Sequence, residues 1–373
     1  MARARHMFAG GNTCLGFFSY YHHILPQEEA EKIYVIKGGP GVGKSTFMKK
    51  VAHAMMDRGF DVEFMHCSSD SDSLDGVVVR DLKTFLVDGT APHIIDPKYP
   101  GAVDEILNFG AFWNEEEIKK HRKEILSISR EISRLFARAY HYLHAAFEVY
   151  QDSASLFNKA LDKIKLSRLI ADLEEELFAG KDGEEGEGRE RSLFASAITP
   201  SGYVNYLNTL LDVSTVYVIK GDMGTGEELL LERLRDTALS KGFDVEGFYC
   251  ALNPHKLEHL IIPGLDAAVT TSNTYHHAEV PSARIIDMME LMDRKLLEQY
   301  RGELEENRQA FDGLMATALA SIRRAKENHD ALEQFYIPYM DFKAMDASCQ
   351  QIIGRLAELR PTEEIASSLR SSQ

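Results

Sequence analysis

The clearest pattern of apolar and polar positions is a short apolar run, a glycine-rich stretch and a segment with helical character. Ile33 to Ile36 are β-branched or aromatic and predict a buried strand. The stretch GGPGVGKST at 38–46 carries the glycines of a loop, and FMKKVAHAMM at 47–56 has the composition of a helix. The sequence therefore predicts a strand, a glycine loop and a helix in direct succession.

The rest of the first half predicts further short elements around this core. Candidate strands lie at Arg5 to Ala9, Asp61 to His66, Thr84 to Val87 and His93 to Asp96, and an aromatic helix at Phe17 to Leu25. The polar stretch CSSDSDSLDG at 67–76 predicts a loop, either a helix-capping turn or a place where carboxylates hold Mg²⁺ or a substrate. Together these elements predict an α/β fold with a small, mainly parallel sheet flanked by helices.

Residues 103–178 are predicted to be helical throughout. Apolar side chains recur there at alternating spacings of three and four, so they would form one seam on a long helix. The seam residues are Ile125, Ile128, Ile132, Leu135, Ala139, Tyr142, Ala146 and Val149. A second helix at 153–177 would fold back to give an antiparallel hairpin, with a counterpart at 283–359.

A string of the first half returns in the second half. YVIKG occurs at 34–38 and again at 217–221, and GFDVE recurs with the same offset of 183 residues. The chain is therefore predicted to be a tandem duplication, with domains at 1–180 and 192–373. Residues 181–191 between them are rich in glycine and acid and predict a flexible linker.

The glycine loop has the residue types that bind phosphate. It fills the pattern G-x-x-x-x-G-K-[ST] in the strand-to-helix context that this pattern requires. Glycines let backbone amides curl into an anion nest, and the following helix points its positive dipole end into the same space. The residues predicted to hold a nucleoside triphosphate are Gly38, Gly39, Gly41, Val42, Gly43, Lys44, Ser45 and Thr46. Lys44 would reach the β- and γ-phosphates, Ser45 would ligate Mg²⁺ and Thr46 would contact the α-phosphate.

Asp88 follows the apolar run Thr84 to Val87 and is the second candidate for a catalytic role beside Lys44. An aspartate there is placed to order the Mg²⁺ shell together with Ser45. No acidic residue follows Asp88, so the water-activating glutamate of many ATPases is missing from that place. The chain also lacks an Asn-Lys-x-Asp guanine signature, which favours ATP over GTP.

On these residues the loop GGPGVGKST resembles the Walker A motif of P-loop NTPases, and the apolar run that ends in Asp88 resembles a Walker B strand. The resemblance implies a P-loop domain that takes ATP and Mg²⁺ in the first half. The duplicated layout is similar to a bacterial family of tandem P-loop proteins. That second resemblance covers the whole chain and implies no substrate.

The second copy of the loop, GDMGTGEE at 221–228, reverses the charge of the first. Glu227 stands at the position of Lys44, and Thr271 at the position of Asp88. Carboxylates at the mouth of a phosphate nest repel a triphosphate, whereas they suit the start of a helix. The sequence therefore predicts a degenerate second domain and one nucleotide per chain.

Composition narrows the function classes. The formal charge of −16 disfavours binding to nucleic-acid backbone, and four cysteines without metal-ligand spacing predict reduced thiols in the cytoplasm. No apolar run reaches about 18 residues and the amino terminus lacks a secretory h-region, so no membrane association is expected. The two YHH tripeptides, at 21–23 and 275–277, lack further spaced ligands and are predicted to be packing or surface residues.

Three function classes remain open. The first is a Mg²⁺-dependent ATPase that uses hydrolysis to move the helical hairpins, which would also contact a protein partner. The alternative is a kinase acting on a nucleotide or another small molecule, with a hairpin as its lid. The third is a nucleotide-binding regulator or scaffold without turnover. The sequence identifies neither an acceptor nor a partner.

Overall fold

Two six-stranded sheets, each flanked by helices, give the chain an α/β fold. The structure is a computed structural model and describes residues 2–90, 95–281 and 283–359. The strands are β1 (Ala4–Phe8), β2 (Gly10–Thr13), β3 (Gly16–Ser19), β4 (Lys32–Lys37), β5 (Val62–Cys67), β6 (Asp70–Val79), β7 (Thr84–Asp88), β8 (Asp104–Asn108), β9 (Glu190–Leu193), β10 (Ser196–Thr199), β11 (Gly202–Asn205), β12 (Thr215–Lys220), β13 (Val245–Tyr249), β14 (Leu257–Ile262), β15 (Ala267–Ser272) and β16 (Arg284–Asp287). The helices are α1 (Lys44–Met56), α2 (Glu115–Lys119), α3 (Arg122–Ala160), α4 (Lys163–Phe178), α5 (Leu207–Leu210), α6 (Glu227–Ser240), α7 (Arg294–Glu333) and α8 (Phe342–Glu358).

The first sheet has the strand order β1-β5-β6-β7-β4-β8 and is mixed. The pairs β1/β5, β4/β7 and β4/β8 are parallel, whereas β6 runs antiparallel to both β5 and β7. The prediction of a mainly parallel sheet is therefore correct only in part. Its error comes from the polar stretch 67–76, which is not a loop: the chain turns at Ser68 and Ser69 and returns as β6.

The second sheet repeats this plan in the order β9-β13-β14-β15-β12-β16. Here β9/β13, β12/β15 and β12/β16 are parallel, and β14 is antiparallel to β13 and β15. Backbone outliers recur as well, since Lys83 and its counterpart Asp266 both have a left-handed φ, of 45° and 49°. Strand order and local conformation therefore repeat along with the sequence.

The compact units of the chain are interleaved along the sequence. The first unit consists of Met1–Ala9, Tyr21–Phe136 and Arg323–Gln373. The second unit consists of Gly10–Tyr20 and Ala137–Ile322. This division differs from the predicted one, which placed a single boundary at residues 181–191. The difference arises because the long helices α3 and α7 each begin in one unit and end in the other.

Each long helix is followed by a shorter helix that packs beside a glycine loop. In the first unit α8 packs on α1, and in the second α4 packs on α6. The shorter helices therefore pack on α1 and α6 in place of the predicted antiparallel hairpins. The predicted seam on α3 is nevertheless buried at Leu135, Ala139 and Ala146. Within the described ranges, no helix combines the length and the apolar character needed to cross a membrane.

The core of the first unit joins α1 and α8 to the sheet. Phe47 of α1 and Leu86 of β7 are fully buried in one cluster with Ile352 and Leu356 of α8. Burying such a side chain contributes about 1.5–3 kcal/mol relative to leaving it exposed. This packing fixes α1, and with it the first glycine loop, on the carboxyl ends of the strands.

Two segments predicted to be helical begin as strands. Residues 17–25 start within β3, which pairs with β2 across a turn at Cys14 and Leu15, and they continue as a single 3₁₀ turn. Residues 103–178 start with β8, an edge strand beside β4. Because β8 is half exposed, it lacks the continuous apolar run of a central strand. The predicted strand at 93–96 lies partly outside the described residues.

The acidic stretch 181–191 is held against the rest of the second unit by backbone contacts. The amide of Gly183 donates to the carbonyl of Lys241 at 2.8 Å. A Cβ at Gly183 would lie 2.2 Å from the carbonyl oxygen of Gly242, so only glycine permits this approach. The predicted flexible linker is therefore an ordered connection into β9.

We expect acid to destabilise the first unit through His66. Its Nδ1 lies 2.8 Å from the carbonyl oxygen of Ser71, and its Nε2 lies 2.8 Å from Nδ1 of His6. Burial, with a smaller contribution from His6, lowers the pKa of His66 to about 4 from 6.5. At pH values between these two, His66 is protonated in the unfolded chain but neutral in the folded chain. The free energy of unfolding should therefore fall as pH drops through this window, by no more than about 3 kcal/mol.

Urea unfolding at a series of pH values measures this effect. In the variant His66→Gln the decline between the two pKa values should be smaller than in the wild type. An identical decline in both proteins would show that another group carries the acid sensitivity.

Candidate functional site

The first glycine loop, residues 38–43, lies at the edge of the sheet where the parallel strands β4, β7 and β8 end. Gly41 and Gly43 have φ values of 68° and 86°, in the left-handed region that favours glycine. Helix α1 begins directly after the loop, at Lys44, and Gly43 has no side chain with which to cap it. The first amides of α1 and the positive end of its dipole therefore suit an anion at this point.

Lys44 and Asp88 meet at the mouth of this loop. The Lys44 Nζ donates to the carbonyl oxygens of Gly38 and Gly39 at 3.0 and 2.8 Å, and it lies 3.5 Å from Oδ2 of Asp88. Only 12% of the Lys44 side chain and 14% of the Asp88 side chain are exposed, and this shielding strengthens their attraction. The two predicted catalytic residues, which are far apart in sequence, are thus brought into contact.

Hydrogen bonds tie the loop to the strands around it. Oδ1 of Asp88 accepts from the backbone N–H of Thr90 at 2.8 Å, and the Thr90 hydroxyl donates to the carbonyl of Gly38 at 2.9 Å. The Ser45 hydroxyl oxygen accepts from the backbone N–H of Leu74 on β6 at 3.0 Å. Asp88 therefore holds its place through two bridges to the loop, one through Lys44 and one through Thr90.

The remaining predicted binding residues differ in their surroundings. Val42 is buried in the core of the first unit, so only its backbone faces the loop interior. Thr46 is exposed in the first turn of α1, and its predicted contact with an α-phosphate stays a prediction. Of the predicted site residues, Lys44 thus directly contacts Asp88 and the carbonyls of Gly38 and Gly39.

Asp75 is a second carboxylate at this end of the sheet. The register between β5 and β6 slips by one residue, which makes Asp75 the extra residue of a β-bulge. On the other side of β6, Gly76 pairs with Val87, so Asp75 and Asp88 both lie next to this last pair of the β6/β7 ladder. The polar stretch predicted to be a loop therefore delivers a buried carboxylate to the strand beside β7.

Tyr21 is hydrogen-bonded to this carboxylate. Its hydroxyl donates to Oδ2 of Asp75 at 3.1 Å. Burial raises the pKa of Tyr21 well above its ordinary value, and the charges of Asp75 and Asp88 raise it further, so the tyrosine remains a donor at neutral pH. Burial and Asp75 also raise the pKa of the Cys67 thiol well above its usual value.

The glycines of the first loop also permit other segments to approach. A Cβ at Gly39 would lie 3.0 Å from the ring of Tyr336, and one at Gly43 would lie 2.9 Å from the sulfur of Met345. Tyr336 follows α7 and Met345 belongs to α8. Substitution of these glycines would therefore disturb packing as well as any anion nest.

The second glycine loop, residues 221–226, has a similar backbone. Gly224 and Gly226 have φ values of 87° and 88°. A Cβ at Gly224 would lie 2.7 Å from Cβ of Ala154 near the end of α3, and one at Gly226 would lie 2.9 Å from Leu161. The curl of the loop is thus kept, together with close packing by a helix.

A buried ion pair fills the second site. Glu227, at the position of Lys44, is 4% exposed, and its Oε1 lies 2.5 Å from Nζ of Lys256 in the turn between β13 and β14. The Thr225 hydroxyl donates to the other carboxylate oxygen at 3.0 Å, and the Lys256 ammonium lies 5.4 Å from the ring centre of Tyr150. The cation of the second site is therefore Lys256, from the turn between β13 and β14. It is already bound to a carboxylate of the protein, that of Glu227.

Both members of this pair are ionised. Burial opposes the charge on Glu227, but Lys256 and Thr225 outweigh burial and hold the pKa of Glu227 below its usual value. Burial likewise opposes the charge on Lys256, and its acidic neighbours, Glu227 first, raise the pKa of Lys256 well above normal. Burial and then Glu227 raise the pKa of Glu228. Glu227 is the first residue of α6, as expected for a helix-start carboxylate, and it is also the partner of a buried lysine.

The sequence identified Lys44 and Asp88, but it gave no sign of the partners Tyr21 and Lys256. One signal was available for Asp75, because the repeat offset aligns it with Glu258, a second buried acid on an equivalent strand.

Comparison of the chain with protein-family models, with curated proteins and with solved structures finds no match.

Proposed function

We propose that the first unit is a P-loop nucleotide-binding site that takes ATP with Mg²⁺ and hydrolyses the nucleotide. One observation carries the proposal: the Lys44 ammonium lies 3.5 Å from the Asp88 carboxylate at the mouth of a glycine loop that starts a helix. A lysine there suits the β- and γ-phosphates, and an aspartate at the end of the adjacent parallel strand suits the metal ion.

The residues present fit this ligand. The amides after Gly41 and Gly43 would bind phosphate oxygens, and the Lys44 ammonium would neutralise their charge. Ser45 and Asp88 would hold Mg²⁺, which supplies further charge neutralisation at the terminal phosphate. In the described structure Lys44 and Asp88 neutralise each other, so the site is balanced before a ligand enters.

Asp75 is proposed to complete the metal environment. Like Asp88, it lies next to the last pair of the β6/β7 ladder, and the Tyr21 hydroxyl holds one of its oxygens. Two carboxylates and a hydroxyl are the oxygen donors that Mg²⁺ prefers, with water filling the remaining positions. Asp75 thereby supplies the second acid that the sequence lacks directly after Asp88.

Hydrolysis is favoured over transfer to an acceptor. The stretch that was a candidate for acceptor binding forms the hairpin strand β6, and the Leu74 amide of that strand is bonded to Ser45. No described feature of the first unit therefore favours a kinase. A regulator without turnover, and a protein partner along the long helices, stay predictions.

We expect Asp88→Asn to abolish most Mg²⁺-dependent release of phosphate from ATP, because the amide removes one negative charge from the metal site. Asp75→Asn should raise the Mg²⁺ concentration needed for half-maximal turnover. Asp96→Asn is the matched control, since the Asp96 side chain is 77% exposed and pairs with Lys37. Its magnesium titration should follow that of the wild type.

The same assay separates the function classes. Phosphate release from ATP without any added acceptor supports hydrolysis. Formation of ADP only in the presence of an acceptor would point to a kinase, and binding without turnover would point to a regulator. If Asp88→Asn matched the wild type across the magnesium titration, the metal role of Asp88 would be refuted.

A further inference from the structure

We propose that the second unit binds a divalent transition-metal ion, preferentially zinc, between Glu258, His259 and His276. One ligand atom from each residue lies within 4.8 Å of the others. The three residues are 3%, 1% and 6% exposed. Two imidazole nitrogens and one carboxylate oxygen form a donor set typical of zinc. The proposal is independent of nucleotide binding by the first unit.

A β-bulge explains how adjacent residues can share one site. Successive side chains of a regular strand point to opposite faces of the sheet. The register between β13 and β14 slips by one residue at Glu258, so the bulge turns Glu258 and His259 toward a common centre. His276 enters from the loop after β15, where its carbonyl accepts from the backbone N–H of Asn273 at 2.9 Å.

Hydrogen bonds hold both imidazoles, and those around His259 also direct its lone pair. Nδ1 of His259 lies 2.7 Å from the Thr270 hydroxyl oxygen, which itself donates to the carbonyl of Thr271 at 3.4 Å. The Thr270 hydroxyl therefore accepts from Nδ1–H, and Nε2 of His259 carries the lone pair. Nε2 of His276 lies 2.8 Å from the Thr271 hydroxyl oxygen, and Nδ1 lies 3.7 Å from Oε2 of Glu258. Such outer bonds orient histidines that ligate metals.

One nitrogen of the group is left without a partner. Among the described residues, the buried Nε2 of His259 has no hydrogen-bond partner. A metal ion would satisfy the lone pair and balance the carboxylate of Glu258.

The distances and charges around the group suit such an ion. Ligand atoms around tetrahedral zinc lie about 3.3 Å apart, close to the 3.7 Å between His276 and Glu258. The neighbouring cation, Lys256, is bound to Glu227 at 2.5 Å, so its charge is already compensated. A small shift of the three side chains toward one another would therefore bring their ligand atoms to the spacing that zinc requires.

The position of the group within the repeat is informative. By the offset of 183 residues, Glu258 corresponds to Asp75 and Thr271 to Asp88. At the position of His259 the first unit has Gly76, so among the described residues the second unit adds an imidazole nitrogen beside the corresponding acid. Nitrogen donors favour zinc over magnesium, so the two units are expected to select different metal ions.

Zinc uptake by the full chain tests the proposal. After removal of metals with a chelator, the wild type should bind one Zn²⁺ per chain in that site and unfold at a higher temperature. Co²⁺ in its place should give the visible absorption of a low-coordinate site. Glu258→Gln, His259→Gln and His276→Gln should each reduce the affinity for Zn²⁺ by more than about 100-fold.

Two control variants address other histidines. His277→Gln removes the adjacent imidazole, which is 65% exposed, and His329→Gln removes the histidine of a separate group with Asp330 and Glu333. Both variants should bind zinc as the wild type does. Circular dichroism of each metal-free variant establishes that it folds, and His276→Gln, in a loop, serves if His259→Gln does not. A folded wild type without stoichiometric zinc, or uptake that survives the substitution of His276, would overturn the proposal.

Discussion

Lys44→Ala is expected to lower the affinity of the chain for Mg²⁺-ATP by about 100-fold or more, or about 3 kcal/mol. The alanine removes the ammonium group that lies at the mouth of the first glycine loop, 3.5 Å from Asp88. It also leaves the Asp88 carboxylate facing the phosphates without a counter-charge, and like charges repel strongly in a shielded site. Direct titration with nucleotide measures the loss.

Controls separate this loss from damage to the fold. Lys44 donates to two carbonyls of the loop, so its removal also weakens local structure. The double variant Lys44→Ala/Asp88→Asn removes the uncompensated carboxylate and should recover stability without recovering affinity. Lys50→Ala on the same helix, where Lys50 pairs with Asp346 at the surface, should bind nucleotide normally. Normal binding by a folded Lys44→Ala would contradict the phosphate role.

Lys256→Met is expected to destabilise the second unit by about 3–5 kcal/mol, because it leaves Glu227 buried without its counter-charge. Both side chains of this pair are only 6% exposed, and their charged atoms lie 2.5 Å apart. A partner lost from such a pair costs far more than one lost from the surface, since water cannot replace it. Urea unfolding, followed by a probe of the second unit, measures the change.

The matched control is Lys241→Met, which breaks the pair of Lys241 with Asp182 at 3.1 Å. The Asp182 side chain is 81% exposed, so this substitution should cost no more than about 1 kcal/mol. The double variant Lys256→Met/Glu227→Leu replaces both charges by apolar groups and should recover most of the lost stability. If Lys256→Met were as stable as Lys241→Met, the ion pair would not hold the second loop.

Elements with a strong local signal could be predicted from the sequence. The apolar run of β4, the glycines after it and the helix α1 lie where the pattern places them, and so does β7 with Asp88 at its end. The strands β4 and β7 are central, so burial on both faces leaves a continuous apolar run. The wrongly predicted β8 is half exposed and lacks that signal, whereas β6 was missed because its first residues are polar, although its last six are buried.

The site was predictable only where a local pattern marks its residues, as the glycine motif marks Lys44 and the apolar run of β7 marks Asp88. Lys44 follows from the glycine pattern, but Asp75 depends on a β-bulge whose register is set by the neighbouring strands. Lys256 lies in a turn, 29 residues after its partner Glu227, and nothing local marks it as buried. A one-residue slip or a distant ion pair is a tertiary feature, and single-sequence patterns do not contain it.

The central claim is that the chain holds one nucleotide, in the first unit, because the ion pair of Lys256 with Glu227 fills the second loop. Isothermal titration of the wild-type chain with a non-hydrolysable ATP analogue and Mg²⁺ tests this claim most directly. The account predicts one bound nucleotide per chain. Two bound nucleotides, or none, would contradict it.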